Sequence, residues 1–469
     1  MKDTINFIKG KLGYGIGAIG LDLSYGMFYS FLAKYLTDTV GLGAAFLLVL
    51  TPIARLWDGI NDPMMGTIID NTNTKMGRYR PWILTGSFLN AIVLVLLFTN
   101  PFNLSGVGIC VYVGIMYILW GMTNTLADIP YWSMIPSFTS DQNERSIVST
   151  LARTFSGLGQ GIVTIGAPLL MAAVSLTTST DEYGETVAVY DERSYFVAAL
   201  VCAVCLIFFS SLSVMTTKEK IITKAPEKFS FKKTISIVKT NDQLLVFMLF
   251  AMISNAGWYL TSGVATYYFD VVVGDASKQS LFSTSSAVGS VLGLVMLPIL
   301  VKFFSKRRAY QISLSLAAIG YAMMSVGAFA NNLTIMNIFY VVGAMGIGSM
   351  FIGQTIFLAD VVDYGEVKLG FRSESITFSM KGFLQKMAYT IQTIILFTSL
   401  AISNYDGTAH SANPESAKLS ITFMLVVIPA ILFVISLVIF TKKFKLHGDY
   451  MKEITEQVQK NKLERELAK

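Results

Sequence analysis

Charged residues, histidines and cysteines are scarce in this chain of 469 residues. Only 14% of the residues carry a charge, whereas a soluble domain has about 25%, and 53% are hydrophobic. Two histidines, His410 and His447, and three cysteines leave little for histidine catalysis, a histidine-based metal site or a disulfide framework. We therefore expect a membrane protein that is not an enzyme and needs no cofactor.

Neither a redox or metal site nor a nucleotide-binding site is indicated by the sequence motifs. Cys202 and Cys205 form a CxxC, but the apolar run "FVAALVCAVCLIFF" contains them, so we interpret them as ordinary helix residues. The sequence has no glycine-rich phosphate-binding loop of the Walker type, which argues against ATP-driven transport. The net charge of +6 predicts no nucleic-acid partner, because the positive residues follow the pattern of membrane proteins.

The hydrophobic residues are clustered into twelve runs, each long enough to cross a bilayer, which takes roughly 20 residues. Only helices and closed barrels satisfy the backbone in lipid, and runs of this length and composition are helices. We predict an all-α integral membrane protein with twelve transmembrane helices. The runs lie near residues 11–36, 44–71, 81–100, 107–135, 147–176, 195–215, 243–272, 280–303, 309–329, 335–361, 375–402 and 418–441.

The positive charges predict the orientation of these helices. With both termini in the cytoplasm, most of the 36 lysines and arginines face that side, as the positive-inside rule requires. The few that then lie on the opposite side are Lys34, Arg193, Lys278 and Lys418. Those inside predicted spans are Arg55, Arg153, Lys381 and Lys386.

A lysine-rich connection, "TTKEKIITKAPEKFSFKKTISIVKTN", separates the first six spans from the last six. Two six-helix halves joined by a cytoplasmic loop are typical of major facilitator transporters. We expect such a protein to lie in the cell membrane among lipids and to function as a monomer. The predicted boundaries are 1–215 and 243–441 for the two bundles, 216–242 for the linker and 442–469 for a tail that is either a solvated helix or disordered.

The stretch "RLWDGINDPMMGTIID" places charges inside the second predicted span. Arg55, Asp58 and Asp62 are spaced by three and four positions, so they share one helix face, and Asn61 lies near it. Two carboxylates one turn apart repel each other in a low dielectric unless a proton, a metal cation or a base intervenes. We favour a site for a monovalent cation, either Na⁺ or H⁺. A structural ion-pair network around Arg55 is the alternative.

Two other spans carry residues suited to a sugar. Asp22 lies in the middle of the first span, with Tyr25 on a similar face. In the fourth span Asn124, Asp128 and Trp132 are spaced by four, which makes one stripe. Carboxylates accept hydrogen bonds from hydroxyl groups, and an indole covers the apolar face of a sugar ring. Taken alone, Trp132 is equally compatible with an interfacial anchor.

The deep charges also suggest how a cation and a substrate are coupled. Arg153 in the fifth span either snorkels to water or closes a gate, and Lys386 in the eleventh span is expected across the interface between the halves. Acids exceed bases by one, which a monovalent cation would neutralise. The deep charged residues are Asp22, Arg55, Asp58, Asp62, Asp128, Arg153 and Lys386.

Three segments resemble the glycoside–pentoside–hexuronide:cation symporters, the melibiose permease family of the major facilitator superfamily. They are "RLWDGINDPMMGTIIDNTNTKMGRYRPWIL", "ILWGMTNTLADIPYWSMIP" and "DYGEVKLGFRSESITFS". The resemblance implies a Na⁺ or H⁺ site at Asp58, Asn61, Asp62 and Thr125. It implies sugar binding by Asp22 and Asp128 with Trp132 beneath the ring, Arg153 at the sugar cavity or gate, and Lys386 and Arg55 beside the cation site.

The turn "GTIIDNTNTKMGRYRP" resembles the general facilitator motif between spans two and three. We interpret Asp70, Arg78 and Arg80 as residues of a cytoplasmic gate. Loop charges that merely obey the positive-inside rule are the alternative.

The expected function is cation-coupled uptake of a glycoside or oligosaccharide by alternating access. The sequence leaves open whether the sugar is a galactoside, glucoside, xyloside or glucuronide, and whether the ion is Na⁺ or H⁺. A cation-coupled carrier of lysolipids or other amphipathic substrates is the main alternative. A drug exporter and a membrane enzyme fit the motifs less well.

Overall fold

The computed structural model describes residues 2–135, 142–180, 186–217, 219, 239–370, 374–407 and 409–467. Within these ranges the following side chains lie outside the description: 2–10, 56, 59, 60, 63, 67, 70, 142–146, 179, 180, 186, 187, 374–379, 381 and 461–467. The described chain is almost entirely helical, as the long apolar runs predict.

The helices follow the predicted order. Those of the first half are α1 (Lys2–Lys34), α2 (Ala44–Asp70), α3 (Arg80–Leu97), α4 (Val107–Ser133), α5 (Gln142–Val174) and α6 (Glu192–Thr216). Those of the second half are α7 (Asp242–Tyr267), α8 (Gln279–Phe303), α9 (Lys306–Phe329), α10 (Leu333–Leu369), α11 (Glu374–Ile402), α12 (Glu415–Thr422) and α13 (Ile428–Lys443). Five-residue π-helical turns extend α1 to Thr39 and α7 to Val272, and a third joins α12 to α13.

A hairpin and a tail helix of the described chain lie outside the predicted spans. A two-stranded antiparallel hairpin, β1 (Thr177–Thr180) and β2 (Thr186–Val189), occupies the connection between α5 and α6, with Thr177 opposite Val189. Its threonines and valines are β-branched, which favours extended backbone. The tail forms a helix, α14 (Gly448–Leu467), which packs against α10.

Ten segments of the described chain are long and apolar enough to cross a membrane. Helices α2 and α11 are not among these ten, although their lengths of 27 and 29 residues match those of the other helices. Both contain residues whose side chains lie outside the description, and in α2 these interrupt the apolar stretch after Arg55. With α2 and α11, and with α12 and α13 counted as one span, the described chain contains the twelve spans of the major facilitator fold.

The chain forms two compact units. The first comprises Met1–Glu227, Ala265–Ser283 and Phe397–Lys418, and the second comprises Lys228–Val264, Thr284–Leu396 and Leu419–Lys469. In the first unit α1 packs against α5 and α6, α3 against α4 and α6, and α2 against α4. In the second unit α9 packs against α10 and α13. The charged residues of α1, α2, α4 and α5 therefore all belong to the first unit.

Candidate functional site

Helix α2 forms an ion pair on its buried face. Arg55 Nη1 donates a hydrogen bond to Asp58 Oδ2 at 2.8 Å, and the two side chains are only 4% and 8% exposed. The guanidinium carbon of Arg55 lies 5.4 Å from the ring centre of Tyr29 on α1. A buried charge is tolerated when a partner compensates it, and here a carboxylate and an aromatic face do so.

Helix α4 brings a hydroxyl group to the second carboxylate of α2. Thr125 Oγ1 donates a hydrogen bond to Asp62 Oδ1 at 3.1 Å. One turn earlier, Gly121 faces Asp58, and a Cβ added there would lie 2.8 Å from Asp58 Oδ1. Because a side chain at this position would meet the carboxylate, the glycine allows α4 to approach α2 closely. Asp58 and Asp62 thus both face α4.

Asn61 lies between these carboxylates and is also buried. Among the described residues its Nδ2 has no hydrogen-bond partner. The oxygen and nitrogen of an amide exchange places by a half-turn, so this side chain is able to present either a donor or an acceptor. We call Arg55, Asp58, Asn61, Asp62 and Thr125 the mid-helix cluster. Its carboxylate, hydroxyl and amide oxygens are the ligand types that hard cations prefer.

The stripe predicted on α4 lies beside this cluster. Trp132 Nε1 donates a hydrogen bond to Asp128 Oδ1 at 2.9 Å, across one helical turn. Asn124 Nδ2 donates to the hydroxyl of Tyr25 on α1 at 2.7 Å. The guanidinium carbon of Arg153 on α5 lies 3.8 Å from the Trp132 ring centre, which is a close cation–π contact. Three helices therefore contribute polar and aromatic groups to one region of the first unit.

Asp22 joins this region from α1. The Ser156 hydroxyl on α5 and the charges of Asp128 and Arg153 all act on its carboxylate. Asp22 and Asp128 are thus neighbours in the fold although they are far apart in the sequence. Together with Trp132 they provide two carboxylates and an indole that suit a polyhydroxylated ring.

The sequence analysis missed Trp120, which is 2% exposed. Its ring stacks on Phe28, with ring centres 3.5 Å apart, and meets Tyr25 and Tyr29 edge-on at 5.8 and 5.9 Å. It therefore orders the two tyrosines that contact Asn124 and Arg55. Trp120 precedes Asn124 by four residues, so the spacing that revealed the stripe on α4 would also have revealed this residue.

The turn between α2 and α3 is anchored by a residue that sequence reasoning also missed. Glu219 accepts hydrogen bonds from the backbone N–H groups of Arg78, Tyr79 and Arg80 at 2.8, 2.9 and 3.2 Å. The Arg80 guanidinium donates to the Val214 carbonyl at 2.7 Å. The first turn of α3 is thereby bound to the end of α6. The Asp70 side chain lies outside the described residues.

Lys386 lies on α11, in the second unit, and is half-buried. Its predicted role beside the cation site concerns the first unit, so that role stays a prediction. Arg153 contacts the Trp132 ring and is also exposed, so its roles in snorkelling, at a gate or at the sugar cavity all stay predictions.

Comparisons with known proteins agree on one family. A family described as MFS/sugar transport protein matches residues 13–447. The chain is 28% identical to the uncharacterized symporter YjmB of Bacillus subtilis (strain 168), over 96% of this chain and 95% of that protein. It is 26% identical to the raffinose carrier protein of Pediococcus pentosaceus, over 98% of this chain and 73% of that protein.

A solved structure supports the same fold. A mutant of the nucleoside transporter NupG matches with a TM-score of 0.65 and 12% identity, over 93% of this chain and 100% of that one. At this identity the likeness concerns the fold alone.

Proposed function

We propose, from the premise that the chain belongs to the MFS/sugar transport protein family, that it imports a glycoside or oligosaccharide together with Na⁺ or H⁺. The chain is a multi-pass transporter of the cell membrane and its family is not one of enzymes. The proposal adds the coupling ion, the class of sugar and the residues that bind each. The raffinose carrier among its relatives supports an oligosaccharide rather than a lipid.

The observation that carries the proposal is the pair of carboxylates on α2 facing α4. Asp58 is bound by Arg55 on its own helix, and Asp62 by the Thr125 hydroxyl. Both contacts are made by side chains alone, so a cation could be admitted without a change of the helix backbone. A Na⁺ ion would take oxygen atoms of Asp58, Asp62, Thr125 and Asn61, whereas a proton would bind one carboxylate. Either ion reduces the repulsion between two acids in a low dielectric.

The sugar would bind at Asp22, Tyr25, Asn124, Asp128, Trp132 and Arg153. The indole of Trp132 is held by a hydrogen bond to Asp128 and by the Arg153 guanidinium on its ring, so its orientation is fixed before the sugar arrives. The hydroxyl groups of a sugar would exchange with these protein–protein hydrogen bonds. Arg153 would additionally bind a carboxylate if the substrate were a glucuronide.

A chain of contacts links the two proposed sites. Arg55 rests on Tyr29, whose ring stacks on Tyr25 with centres 5.5 Å apart, and Tyr25 accepts the hydrogen bond from Asn124. Cation binding at Asp58 would alter the position of Arg55 and hence the support of Tyr25. This route supports a mutual coupling free energy between ion and sugar, which is typically about 1–3 kcal/mol.

Uptake of labelled glycosides into vesicles containing the purified protein tests the proposal. Each sugar is run with an inward Na⁺ gradient, an inward H⁺ gradient and no gradient. Accumulation of one glycoside class that requires one ion is the expected result. If no glycoside accumulates but a lysolipid does under an ion gradient, the substrate is amphipathic and the sugar assignment is wrong.

A further inference from the structure

A second charged cluster in the first unit is not used by the proposed transport site. Lys34 Nζ donates to Asp270 Oδ2 at 2.7 Å and also pairs with Asp38, one turn further along. The side chains of Lys34, Asp270 and Asp38 are 3%, 8% and 6% exposed, respectively. With His410 they form what we call the helix-end cluster. It joins the end of α1 to the π-helical turn that follows α7.

His410 completes this cluster from the connection between α11 and α12. Its Nδ1 lies 3.0 Å from Asp270 Oδ2, and its side chain is 30% exposed, so protons from solvent can reach it. The Asn413 amide donates to the carbonyls of His410 and Asp406 at 2.9 and 2.8 Å, which fixes the connection. The imidazole is therefore held at the carboxylate by a folded loop.

The same connection contacts Asp38 through a tyrosine. Tyr405 and Thr37 donate hydrogen bonds to Asp38 Oδ1 at 2.7 and 2.6 Å. The Tyr267 hydroxyl lies 3.1 Å from Thr37 Oγ1, and Lys34 Nζ lies 5.0 Å from the Tyr267 ring centre. The remaining titratable groups influenced by these charges are the phenols of Tyr190 and Tyr195.

A close backbone approach adds to these polar contacts. A Cβ added to Gly407 would lie 2.6 Å from the Thr37 carbonyl oxygen and 2.7 Å from the Asp38 Cα. Only a residue without a side chain lets the loop lie against the end of α1 in this way. The loop is thus seated on α1 and contacts the segment after α7 at the same time.

With both carboxylates ionised, the charges of this cluster balance when the histidine is protonated. Lys34 contributes one positive charge, and Asp38 and Asp270 contribute two negative charges, so one negative charge is left. The hydrogen bond from His410 to Asp270, and then the charge of that carboxylate, raise the pKa of His410 above its ordinary value of 6.5, although partial burial opposes this. A cationic imidazole would neutralise the cluster.

We infer that the helix-end cluster is a proton-binding site, separate from the mid-helix cluster, and that a proton bound at His410 holds the loop of Tyr405, Gly407 and His410 onto the end of α1. Its existence does not depend on the proposed function. Its consequence for transport rests on the proposed function: where alternating access moves α1 away from the segment after α7, external acid would slow that step.

The expected pH dependence follows from the direction of the shift. Because the pKa of His410 is raised in the folded state, the extra stabilisation is complete below the ordinary histidine pKa of about 6.5. It is lost as the pH rises through the raised pKa. The loop should therefore be held more firmly in acid than in base.

Nuclear magnetic resonance of histidine-labelled protein tests the site directly, since the chain contains only two histidines. The pKa of His447 is lowered by burial and by Arg307, so the two rings should titrate on opposite sides of the ordinary value. A His447→Gln variant identifies the remaining signal. We expect His410 to titrate above pH 6.5, and Asp270→Asn to lower its pKa. A His410 ring in the wild-type protein that titrates at or below about 6.5 would contradict the inference.

Hydrogen exchange of the loop tests whether the proton holds it. At about pH 6 and about pH 8.5, after correction for intrinsic rates, the wild-type loop should exchange at least about threefold more slowly in acid. His410→Gln should lose this difference, His447→Gln should keep it, and Gly407→Ala should loosen the loop at both pH values.

An equal pH response in the wild-type protein and in His410→Gln would overturn the inference. If His410→Gln does not fold, the wild-type titration still decides. Both measurements are made without sugar or a gradient, so they stand apart from any failure of the transport assay.

Discussion

The mid-helix cluster and the helix-end cluster use similar residues in different ways. Each contains two acids that are mostly buried and at least one base, and each has hydroxyl donation to one carboxylate. In the mid-helix cluster the base and both acids lie on one helix, α2, with Thr125 contributed by α4. In the helix-end cluster the charges come from α1, the turn after α7 and the loop before α12.

This difference suggests what each arrangement is able to do. Charges on one helix keep their spacing whatever the neighbouring helices do, so a cation can enter and leave without the segments separating. The helix-end cluster takes its charges from three segments, so its ion pairs must break when these segments move apart. We therefore expect substitutions in or beside the mid-helix cluster to alter the affinity for sugar and the choice of ion. Substitutions in the helix-end cluster should alter the rate at which this end of the protein opens.

The largest effect is expected for Asp128→Asn, beside the mid-helix cluster. The substitution removes the negative charge of the carboxylate that would accept hydrogen bonds from sugar hydroxyl groups. Loss of two such charge-assisted hydrogen bonds costs about 3 kcal/mol, which lowers the sugar affinity about 100-fold. Calorimetric titration of the purified protein measures this, with Asp449→Asn on the exposed tail helix as a control. Cation affinity should stay within about threefold. Normal sugar transport by Asp128→Asn would refute the sugar assignment.

Asp58→Cys should come next. It removes one of two facing acids, so the excess negative charge disappears and sugar uptake should lose its dependence on the ion by about tenfold or more. Because Arg55 loses its buried partner, stability should fall by about 3–5 kcal/mol, which thermal unfolding records. Asp58→Glu retains the charge and serves as the matched control. Unaltered Na⁺ or H⁺ dependence in folded Asp58→Cys protein would count against the cation site.

Tyr405→Phe tests the helix-end cluster. It removes the hydroxyl that donates to Asp38, a hydrogen bond to a charged group worth about 1.5 kcal/mol, so opening of this end should quicken by about tenfold. The sugar dissociation constant should stay within about twofold, since the residue does not line the proposed sugar site. Stopped-flow exchange of bound sugar gives the rate, with Tyr450→Phe as a control on the exposed tail helix. A change in affinity that exceeds the change in rate would break the distinction between the clusters.

Thr125→Val should have the smallest effect. The loss of one hydroxyl contact to Asp62 costs about 1 kcal/mol, so the ion concentration for half-maximal uptake should rise about fivefold. Thr125→Ser retains the hydroxyl and should behave as the wild-type protein does. Equal behaviour of the valine and serine variants would remove Thr125 from the cation site.

The fold could be predicted because the length and composition of apolar runs report directly on membrane helices. The hairpin between α5 and α6 could not, since it lies in a polar connection where only short runs of threonine and valine mark it. The spacing of the charges in α2 predicts one face of a helix, and the Arg55–Asp58 pair shows that face in contact. Such local contacts follow from the period of a single helix.

Contacts between helices that are distant in the sequence cannot be predicted from the period of a single helix. Thr125 enters only through the family resemblance, because its contact with Asp62 depends on how closely α4 approaches α2. Glu219 and Asp270 carry no local pattern that marks them. His410 lies in a polar loop of the sequence, and its position on a buried carboxylate depends on a contact across 140 residues.

The central claim, that ion and sugar bind cooperatively in the first unit, is tested most directly by reciprocal binding. The sugar dissociation constant is measured with and without the ion, and the ion dissociation constant with and without the sugar. We predict that one glycoside class and one ion strengthen each other by the same factor, about 5- to 150-fold. If no glycoside of the panel binds more tightly with either Na⁺ or H⁺, the account of a cation-coupled sugar site is contradicted.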